Sequence, residues 1–336
     1  MRAHTGFLVL VLFALPAASA AEFAAGTYGT ADGALVLLSN GNYVEPYFAT
    51  KSLLVAQDTG LEARDAAIAW VQWLLPRQRK DGRFNRYCRN TNGTWRSCGA
   101  ADADDSMLAL WLQLLYRLAP DNGLPAEWQQ SAARAEAHLK LLRNSRLGVY
   151  HISRRNHVAL FMDNVEVYAA LRDIAAAQQR FGDAERAQQT RKQTDDLSHA
   201  IARIFWDSRA QWFRVSTQKQ QRGDFYPDAV AQVFPILAHF QVSNRDPKAV
   251  WEWWRDTFGQ EWLTQKRDPH PWGLLAVAAF EADDHQSATC WLSQSAPFRY
   301  SKAWNVLEEA AYQGLENSLP NYEAHPAACS GVMAQR

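Results

Sequence analysis

The sequence predicts an all-α protein: a closed ring of six inner helices wrapped by five to six outer helices, an (α/α)6 toroid. Two kinds of helical segment alternate along the chain. One kind is amphipathic, with apolar residues in steps of three and four, and the other is apolar on most faces. A buried ring inside a surface ring produces this alternation. The alternative is an open stack of helical repeats, but the chain carries no repeating consensus of fixed length.

The segments that are apolar on most faces are predicted to form the inner ring. They lie in residues 43–56, 105–118, 160–177, 228–240, 272–282 and 303–315. The amphipathic segments are predicted to form the outer ring, and they lie in residues 63–78, 125–143, 187–204, 247–258 and 284–294. Because the two kinds follow one another in turn, neighbouring segments are expected to pair as helical hairpins.

The connections between these helices differ in length and composition. Those that lead from an outer helix to the next inner helix are long and carry strand and turn formers, as in residues 81–87, 148–152 and 211–215. The reverse connections are short, as in residues 58–60 and 181–183. We therefore expect short β-hairpins on the face where the inner helices begin, and we expect the binding site on that face.

The first 20 residues have the pattern of a signal peptide. Arg2 and His4 precede an apolar run over residues 7–16, and small residues follow, with a cleavage site near Ala20 or Ala21. No later segment has the ~20 uninterrupted apolar residues of a membrane helix. The remaining residues, 21–336, show no break in composition, so we predict a single domain of the catalytic type, periplasmic or secreted.

The four cysteines are predicted to form disulfides, as is usual in an exported chain. Cys88 and Cys98 flank a turn-rich loop, which favours their pairing among the three possible arrangements and leaves Cys290 for Cys329. The sequence has no paired CxxC motif and no Cys/His cluster, so we expect no metal and no cofactor.

The charge balance limits the class of partner. Lys plus Arg and Asp plus Glu number 35 each, which gives no electrostatic basis for binding nucleic acid or an anionic membrane. A neutral or modestly charged partner fits better, and we expect a monomer.

Acidic residues recur where four of the six predicted inner helices begin. They are Glu45, Asp102, Asp104, Asp105, Asp163, Asp224 and Asp228. Aspartate also caps helix N-termini, so each residue alone has a structural alternative. Carboxylates that converge in one cleft cannot all ionise normally, so one can act as an acid and another as a base or nucleophile. Cleavage of a glycosidic bond requires one carboxyl group as acid and another as base or nucleophile. We therefore expect the substrate to be a polysaccharide or oligosaccharide.

Aromatic residues lie on the same predicted face. Tyr47, Tyr226, Trp272 and Trp304 are predicted to bind substrate, because flat aromatic rings stack on the apolar faces of sugars. Packing in the core is the alternative for each of them.

The order of the acidic motifs resembles glycoside hydrolase family 8, the (α/α)6 endoglucanases that include the cellulases of bacterial cellulose-secretion systems. The matching segments are Val44-Glu-Pro-Tyr47, Ala101-Asp-Ala-Asp104 and Tyr226-Pro-Asp-Ala229. The resemblance implies Glu45 as general acid, Asp228 as base, Asp102 or Asp104 as a sugar-binding carboxylate, and an inverting mechanism. It also suggests other components of a polysaccharide export system as partners. We assign Asp105, in the same run, to substrate binding as well.

A second resemblance points to another catalytic residue. Met162-Asp-Asn-Val165, followed by Phe181-Gly-Asp-Ala184, resembles the third hairpin of other six-hairpin glycosidases, including the unsaturated glucuronyl hydrolases. That resemblance implies a catalytic role for Asp163.

Two other functions stay open. The glycine-rich stretch that follows the acid in family 8 is absent after Glu45, which leaves a non-catalytic carbohydrate-binding or secretion-accessory protein. A polysaccharide lyase on the same fold is the second, with His157 or His270 to abstract a proton. Glu308 and Glu309, on the last predicted inner helix, are further candidates for the cleft, although two adjacent helical residues cannot both point into it.

Overall fold

The computed structural model describes residues 20–218, 223–241, 246–319 and residue 329. These residues form eleven α-helices: α1 (Pro46–Asp58), α2 (Arg64–Leu74), α3 (Asp104–Leu118), α4 (Ala126–Leu142), α5 (Phe161–Arg180), α6 (Ala184–Phe205), α7 (Phe234–Leu237), α8 (Pro247–Leu263), α9 (Gly273–Glu281), α10 (His285–Ser295) and α11 (Val306–Ser318). They also form five short strands: β1 (Tyr43–Val44), β2 (Asn85–Arg89), β3 (Trp95–Ala100), β4 (Trp206–Asp207) and β5 (Trp212–Phe213).

The inner ring consists of α1, α3, α5, a fourth segment, α9 and α11. The fourth segment is a wide helical turn at Phe225–Ala229 followed by the short helix α7. Each member packs against the next, and α11 packs against α1, so the ring closes. Helices α2, α4, α6, α8 and α10 lie outside it. The predicted toroid is therefore confirmed, with five outer helices in the described part of the chain.

The two rings differ in burial as their sequence patterns predict. Every residue of the inner helix α3 except Arg117 is buried. On the outer helix α6 the buried residues follow a stripe in steps of three and four, and they are Ala187, Thr190, Thr194, Leu197, Ala200, Ile201 and Phe205. Because each fully buried large apolar side chain contributes about 1.5–3 kcal/mol, the all-round apolar helices are stable only inside.

The long connections form small sheets at the starts of the inner helices. β1 and β2 pair antiparallel, as do β2 and β3, and this sheet leads directly into α1. A second pair, β4 and β5, precedes the fourth inner segment. The predicted stretch 148–152 makes one isolated bridge, between Arg143 and Tyr150, rather than a hairpin.

Both predicted disulfides are present. Cys88 joins Cys98 across β2 and β3, and Cys290 on α10 joins Cys329. In the described part of the chain no helix is both long enough and apolar enough to cross a bilayer. The predicted signal peptide lies outside the described residues apart from Ala20.

Candidate functional site

A cavity of about 380 Å³ lies at the centre of the ring, on the face where the inner helices begin. All six inner segments contribute to its wall, as expected for a site on the ring axis. Among the described residues, the polar and aromatic ones that line it are Tyr47, Phe48, Asp102, Ser106, Asp163, Tyr226, Phe234, Asp268, His270, Trp272, Asn305 and Glu308. We call this cavity the cleft.

The first acidic group of the cleft stands at the start of α5. Asp163 lines the cleft, and the fully buried Asp105, from the first turn of α3, lies behind it. One turn deeper on α5, Glu166 accepts a hydrogen bond from the Tyr47 hydroxyl at 2.8 Å and pairs with Lys51 at 2.9 Å. Three carboxyl groups from two neighbouring inner helices are thus held together in the core of the ring.

This crowding changes the protonation of Asp163. Burial raises its pKa well above the usual range, and the charges of Asp105 and Glu166 add to the effect. Burial likewise raises the pKa of Asp105, with the charge of Glu166 acting in the same direction. Both oxygens of Asp105 and the Oδ2 of Asp163 are buried without a hydrogen-bond partner in the described part of the chain. Burial and crowding therefore favour the protonated form of both carboxyl groups.

The second acidic group is on α11, which faces α5 across the ring. Glu308 lines the cleft although only 5% of it is exposed, and its Oε2 accepts the backbone N–H of Gly273 at 2.5 Å. Burial raises the pKa of Glu308 to about 7, the Gly273 hydrogen bond opposes that rise, and the charge of Asp268 adds to it. At neutral pH and below, Glu308 can therefore hold a proton.

Local backbone features position Glu308. Asn305 caps α11, and its side-chain oxygen accepts the N–H groups of Leu307 and Glu308 at 2.8 and 3.2 Å. Gly273 permits the close approach of α9, because a Cβ at this position would lie 2.7 Å from Glu308 Oε2 and 2.8 Å from the Cβ of Ala311.

An aromatic wall stands between the two acidic groups. The rings of Tyr226 and Trp272 stack with centroids 4.9 Å apart and planes 24° from parallel, and half of Tyr226 is exposed. Trp272 adopts a left-handed φ of 52°, which is unfavourable for a residue other than glycine. Burial and the charges of Asp163 and Asp102 raise the pKa of Tyr226 to about 12. The negative charges of the cleft therefore disfavour ionisation of its hydroxyl.

Arg86 connects the rim of the cleft to Glu45. Its guanidinium bonds the exposed Asp102 at 3.3 Å and forms a close ion pair with Glu45. Glu45 is 3% exposed and is not among the described residues that line the cleft. Burial raises the pKa of Glu45, and the charge of Arg86 opposes that rise. The predicted acid is thus enclosed behind an arginine at the rim.

Three other predicted residues also lie behind the lining. Asp228 is buried, and its Oδ2 accepts the backbone N–H groups of Gly223 and Asp224 at 3.0 and 3.2 Å. Asp104 pairs with Arg83 at 3.6 Å. Trp304 is fully buried, and its indole N–H donates to Glu309 at 2.9 Å.

The structure therefore brings together only part of the predicted set: Asp102, Asp163, Tyr47, Tyr226 and Trp272 line the cleft, with Asp105 directly behind Asp163. The catalytic roles assigned to Glu45 and Asp228 remain predictions.

Sequence reasoning missed two acidic residues at or beside the cleft, Glu166 and Asp268. Glu166 follows Asp163 by three residues, so it shares a helix face with Asp163, and that spacing was the available signal. Asp268 lies in the loop before α9, where no periodicity exists to mark it. Glu308 and His270, which were weighed as lesser candidates, both line the cleft.

Comparison with known proteins identifies the fold. No family model matches the chain, and no curated protein matches it in sequence. Among solved structures, a novel α-amylase from Clostridium perfringens matches with a TM-score of 0.55 and 9% identity over 87% of this chain and 94% of that chain. A D-mannose isomerase matches at 0.52 and 11%, covering 88% and 94%. A rhamnosidase from Klebsiella oxytoca with rhamnose bound matches at 0.52 and 12%, covering 82% of this chain and 56% of its own. These likenesses support the six-hairpin fold.

Proposed function

We propose that this protein is a glycoside hydrolase that cleaves a polysaccharide or oligosaccharide with Glu308 as general acid and Asp163 as general base. The observation that carries the proposal is the placement of two carboxyl groups with raised pKa values on facing helices of one cleft. The structural likeness to an α-amylase and a rhamnosidase supports the class of reaction. The pair keeps Asp163 from the predicted set and replaces Glu45 and Asp228.

Glu308 supplies the proton for the leaving group. Its buried carboxyl group is protonated below about pH 7, and the Gly273 N–H holds Oε2 in place. A substrate that lies across the cleft would present its glycosidic oxygen to this carboxyl group. Once the proton is transferred, the same N–H stabilises the carboxylate that remains.

Asp163 takes a proton from the attacking water. Its raised pKa makes the ionised Asp163 carboxylate a stronger base than an ordinary aspartate. In an inverting hydrolase the acid and the base lie about 6.5–9.5 Å apart and leave room for water between them. We propose the inverting outcome that the resemblance to family 8 implies.

Substitution of the two carboxyl groups tests the proposal. Asp163→Asn and Glu308→Gln should each lower kcat for release of reducing sugar by about 10²–10⁴-fold, because each removes one proton transfer. The controls are Asp195→Asn on α6 and Glu316→Gln on α11, both exposed and outside the cleft. Full activity in either test variant would refute the assignment. Loss of activity only in Glu45→Gln and Asp228→Asn would restore the pair that family 8 implies.

The activity should depend on pH through Glu308. Its pKa is raised to about 7, so the proton-donating form is lost as the pH rises through 7. We expect kcat to decline about tenfold for each further pH unit on the alkaline side. Rates measured from pH 5 to 9 on a neutral oligosaccharide would check this, and a rate that stays constant to pH 9 would exclude Glu308 as the acid.

A sugar isomerase is the second candidate. His270 lines the cleft, its backbone N–H bonds Asp268 at 2.9 Å, and a D-mannose isomerase has a similar fold. Conversion of mannose to fructose, followed by NMR without release of reducing ends, would favour it. Binding of a polysaccharide without release of any product would indicate the non-catalytic carbohydrate-binding or secretion-accessory protein. New ultraviolet absorbance from unsaturated ends indicates a lyase.

We also propose export to the periplasm or medium, where the protein would act as a monomer, alone or beside components of a polysaccharide export system. The two disulfides agree with an oxidising compartment. The mass of the chain purified from the host should correspond to a start near Ala20 or Ala21, and an intact Met1 would contradict export by a cleaved signal.

A further inference from the structure

A second cavity lies beneath the cleft, inside the ring. It has a volume of about 120 Å³, and residues of α1, α3, α5, α7 and α9 line it. Phe234 and Leu274 line both this cavity and the cleft. These two side chains therefore belong to a floor that separates the cleft from the second cavity.

Three polar side chains connect the cleft with the second cavity. Tyr47 lines the cleft, and its hydroxyl donates to Glu166 Oε1 at 2.8 Å. Glu166 and Lys51 both line the second cavity, and Lys51 Nζ lies 2.9 Å from the same oxygen. Nζ also lies 5.9 Å from the centroid of the Phe234 ring, at a distance that allows a cation–π contact. The charge of Lys51 is thus held directly beneath the floor of the cleft.

The ion pair compensates a buried charge. Only 3% of the Glu166 side chain and 14% of the Lys51 side chain are exposed. Glu166 Oε2 has no hydrogen-bond partner in the described part of the chain. A buried carboxylate is favourable only when a cation and good hydrogen bonds compensate the loss of water. The Tyr47 hydroxyl carries no charge, so Lys51 supplies the compensating cation.

Glu166 in turn acts on Asp163, one turn away on α5. Burial and the charge of Asp105 raise the pKa of Asp163, and the charge of Glu166 adds to that rise. The other titratable groups around Asp163 come from every element of the cleft: Tyr47 on α1, Asp102 and Asp105 at the start of α3, Tyr226 in the wide turn, Asp268 and His270 before α9, and Glu308 on α11. None of these is a lysine or an arginine, so Lys51 acts on Asp163 through Glu166.

We propose that Glu166 and Lys51 are positioning residues of the cleft. Lys51 keeps Glu166 in its charged form, and Glu166 holds the Tyr47 hydroxyl and places a negative charge beside Asp163. The inference rests on the proposed function, since Asp163 acts there as the base. Neither positioning residue touches the substrate, because both lie beneath the floor.

A direct titration of Asp163 tests the effect of the Glu166 charge. The full-length protein would be labelled with ¹³C at the aspartate carboxyl carbons and titrated by NMR, with Asp163→Asn to assign the signal. In Glu166→Gln the midpoint should fall by about one pH unit, because a nearby negative charge is removed. The matched control is Glu136→Gln on α4, since Glu136 also accepts a tyrosine hydroxyl, from Tyr116 at 3.0 Å, and pairs with Arg186 at 3.4 Å. An unchanged midpoint in Glu166→Gln, or an equal fall in the control, would overturn the proposal.

Substitution of Lys51 tests the other half of the pair. Lys51→Met should also lower the Asp163 midpoint, because burial then favours the neutral form of Glu166. Lys51→Arg should keep a midpoint close to that of the parent, since a guanidinium can pair with the same carboxylate. The control Lys192→Met on α6 breaks an exposed pair with Asp196 and should leave the midpoint unchanged. A midpoint that is unchanged or higher in Lys51→Met would contradict the role of Lys51.

Steady-state kinetics separate the charge of Glu166 from its hold on Tyr47. Glu166→Gln keeps an oxygen that accepts the Tyr47 hydroxyl, so KM should stay unchanged. Its kcat should fall severalfold, because a less basic Asp163 takes a proton from water less readily. Tyr47→Phe loses the hydrogen bond but keeps the charge, so it should raise KM about two- to tenfold with kcat unchanged. A raised KM with unchanged kcat in Glu166→Gln would contradict the proposal.

The NMR titration does not depend on turnover. If the midpoints shift as expected and the parent protein hydrolyses nothing, the proposed function fails and the effect of the pair on Asp163 stands. If the parent is a hydrolase that requires Asp163, and Glu166→Gln leaves the midpoint unchanged, this inference fails and the proposed function stands.

Discussion

Helix α5 carries two aspartates, one near the cleft and one near its other end, and their electrostatic surroundings are opposite. Asp163 lies in the first turn, on the cleft, and Asp173 lies ten residues later, about 15 Å along the axis. Burial acts to raise the pKa of both residues. The pKa of Asp163 is raised well above the usual range, whereas that of Asp173 is lowered.

The partners of the two aspartates explain the difference. Asp173 accepts hydrogen bonds from Gln113 at 2.7 Å, from Arg117 at 2.5 and 2.8 Å and from Arg172 at 2.9 Å. These donors favour the ionised form and outweigh burial. The neighbours of Asp163 are other carboxyl groups, and their negative charges disfavour its ionised form. The end of the ring away from the long loops is therefore arranged for stability, and the cleft end is arranged to hold a proton.

The largest expected effect on stability is at Asp173, at the end of α5 away from the cleft. Asp173→Asn should lower the free energy of unfolding by about 2–4 kcal/mol, because Arg172 loses its carboxylate partner and Arg117 keeps only its ion pair with the more exposed Asp58. The folded-state pKa is lowered, so the contribution is present above the ordinary pKa of aspartate and is lost as the pH falls through the lower folded value. Urea unfolding at pH 7 measures the loss of stability in the variant, and the same measurement at pH 3 tests how that loss depends on pH. The control Asp196→Asn, which breaks an exposed pair with Lys192, should cost at most about 0.5 kcal/mol.

An intermediate effect is expected at Gly273, where the absence of a side chain leaves room for the carboxyl group of Glu308. Gly273→Ala should destabilise the fold by about 1–3 kcal/mol and lower activity, because the new methyl group would displace Glu308 or Ala311. The control is Gly259→Ala on α8, where the closest contact, at 3.2 Å, is the flexible side chain of Arg255. Alanine in a helix there should be neutral or stabilising. Equal losses in the two variants would indicate a general intolerance of alanine.

The smallest effect has the opposite sign. Asp163→Asn should raise the free energy of unfolding by about 1 kcal/mol at pH 8, while activity is lost. The folded pKa is raised, so the parent loses stability as the pH rises from the ordinary value for aspartate towards the folded one. The asparagine side chain does not ionise, so the variant does not lose this stability as the pH rises. The difference in free energy of unfolding between variant and parent should therefore vanish near pH 4. A variant less stable than the parent at pH 8 would contradict the contrast between the two ends of α5.

Much of the fold could be predicted because its signals are local. The apolar inner segments and the striped outer helices follow from residues a few positions apart, and both cysteine pairs were predicted correctly. The loop face was predicted from the lengths and compositions of the connections. Asp163, Tyr226 and Trp272 were predicted for the cleft because they begin inner helices on that face, and all three line it.

The orientation of side chains could not be predicted in the same way. Asp228 and Glu308 both lie near the start of an inner segment, yet Asp228 accepts hydrogen bonds from a neighbouring loop and Glu308 lines the cleft. Whether a carboxylate caps a backbone or faces a cavity depends on which N–H groups the folded chain places beside it.

By itself the sequence determined the ring, the face that carries the cleft and the presence of acidic and aromatic residues there. Only the tertiary structure decided which carboxyl groups hold protons. Asp105 and Asp163 are 58 residues apart in sequence, and the charge of Asp105 adds to the raised pKa of Asp163 because α3 packs against α5. A pKa depends on burial and on the charges within a few ångströms, and those neighbours come from distant parts of the chain.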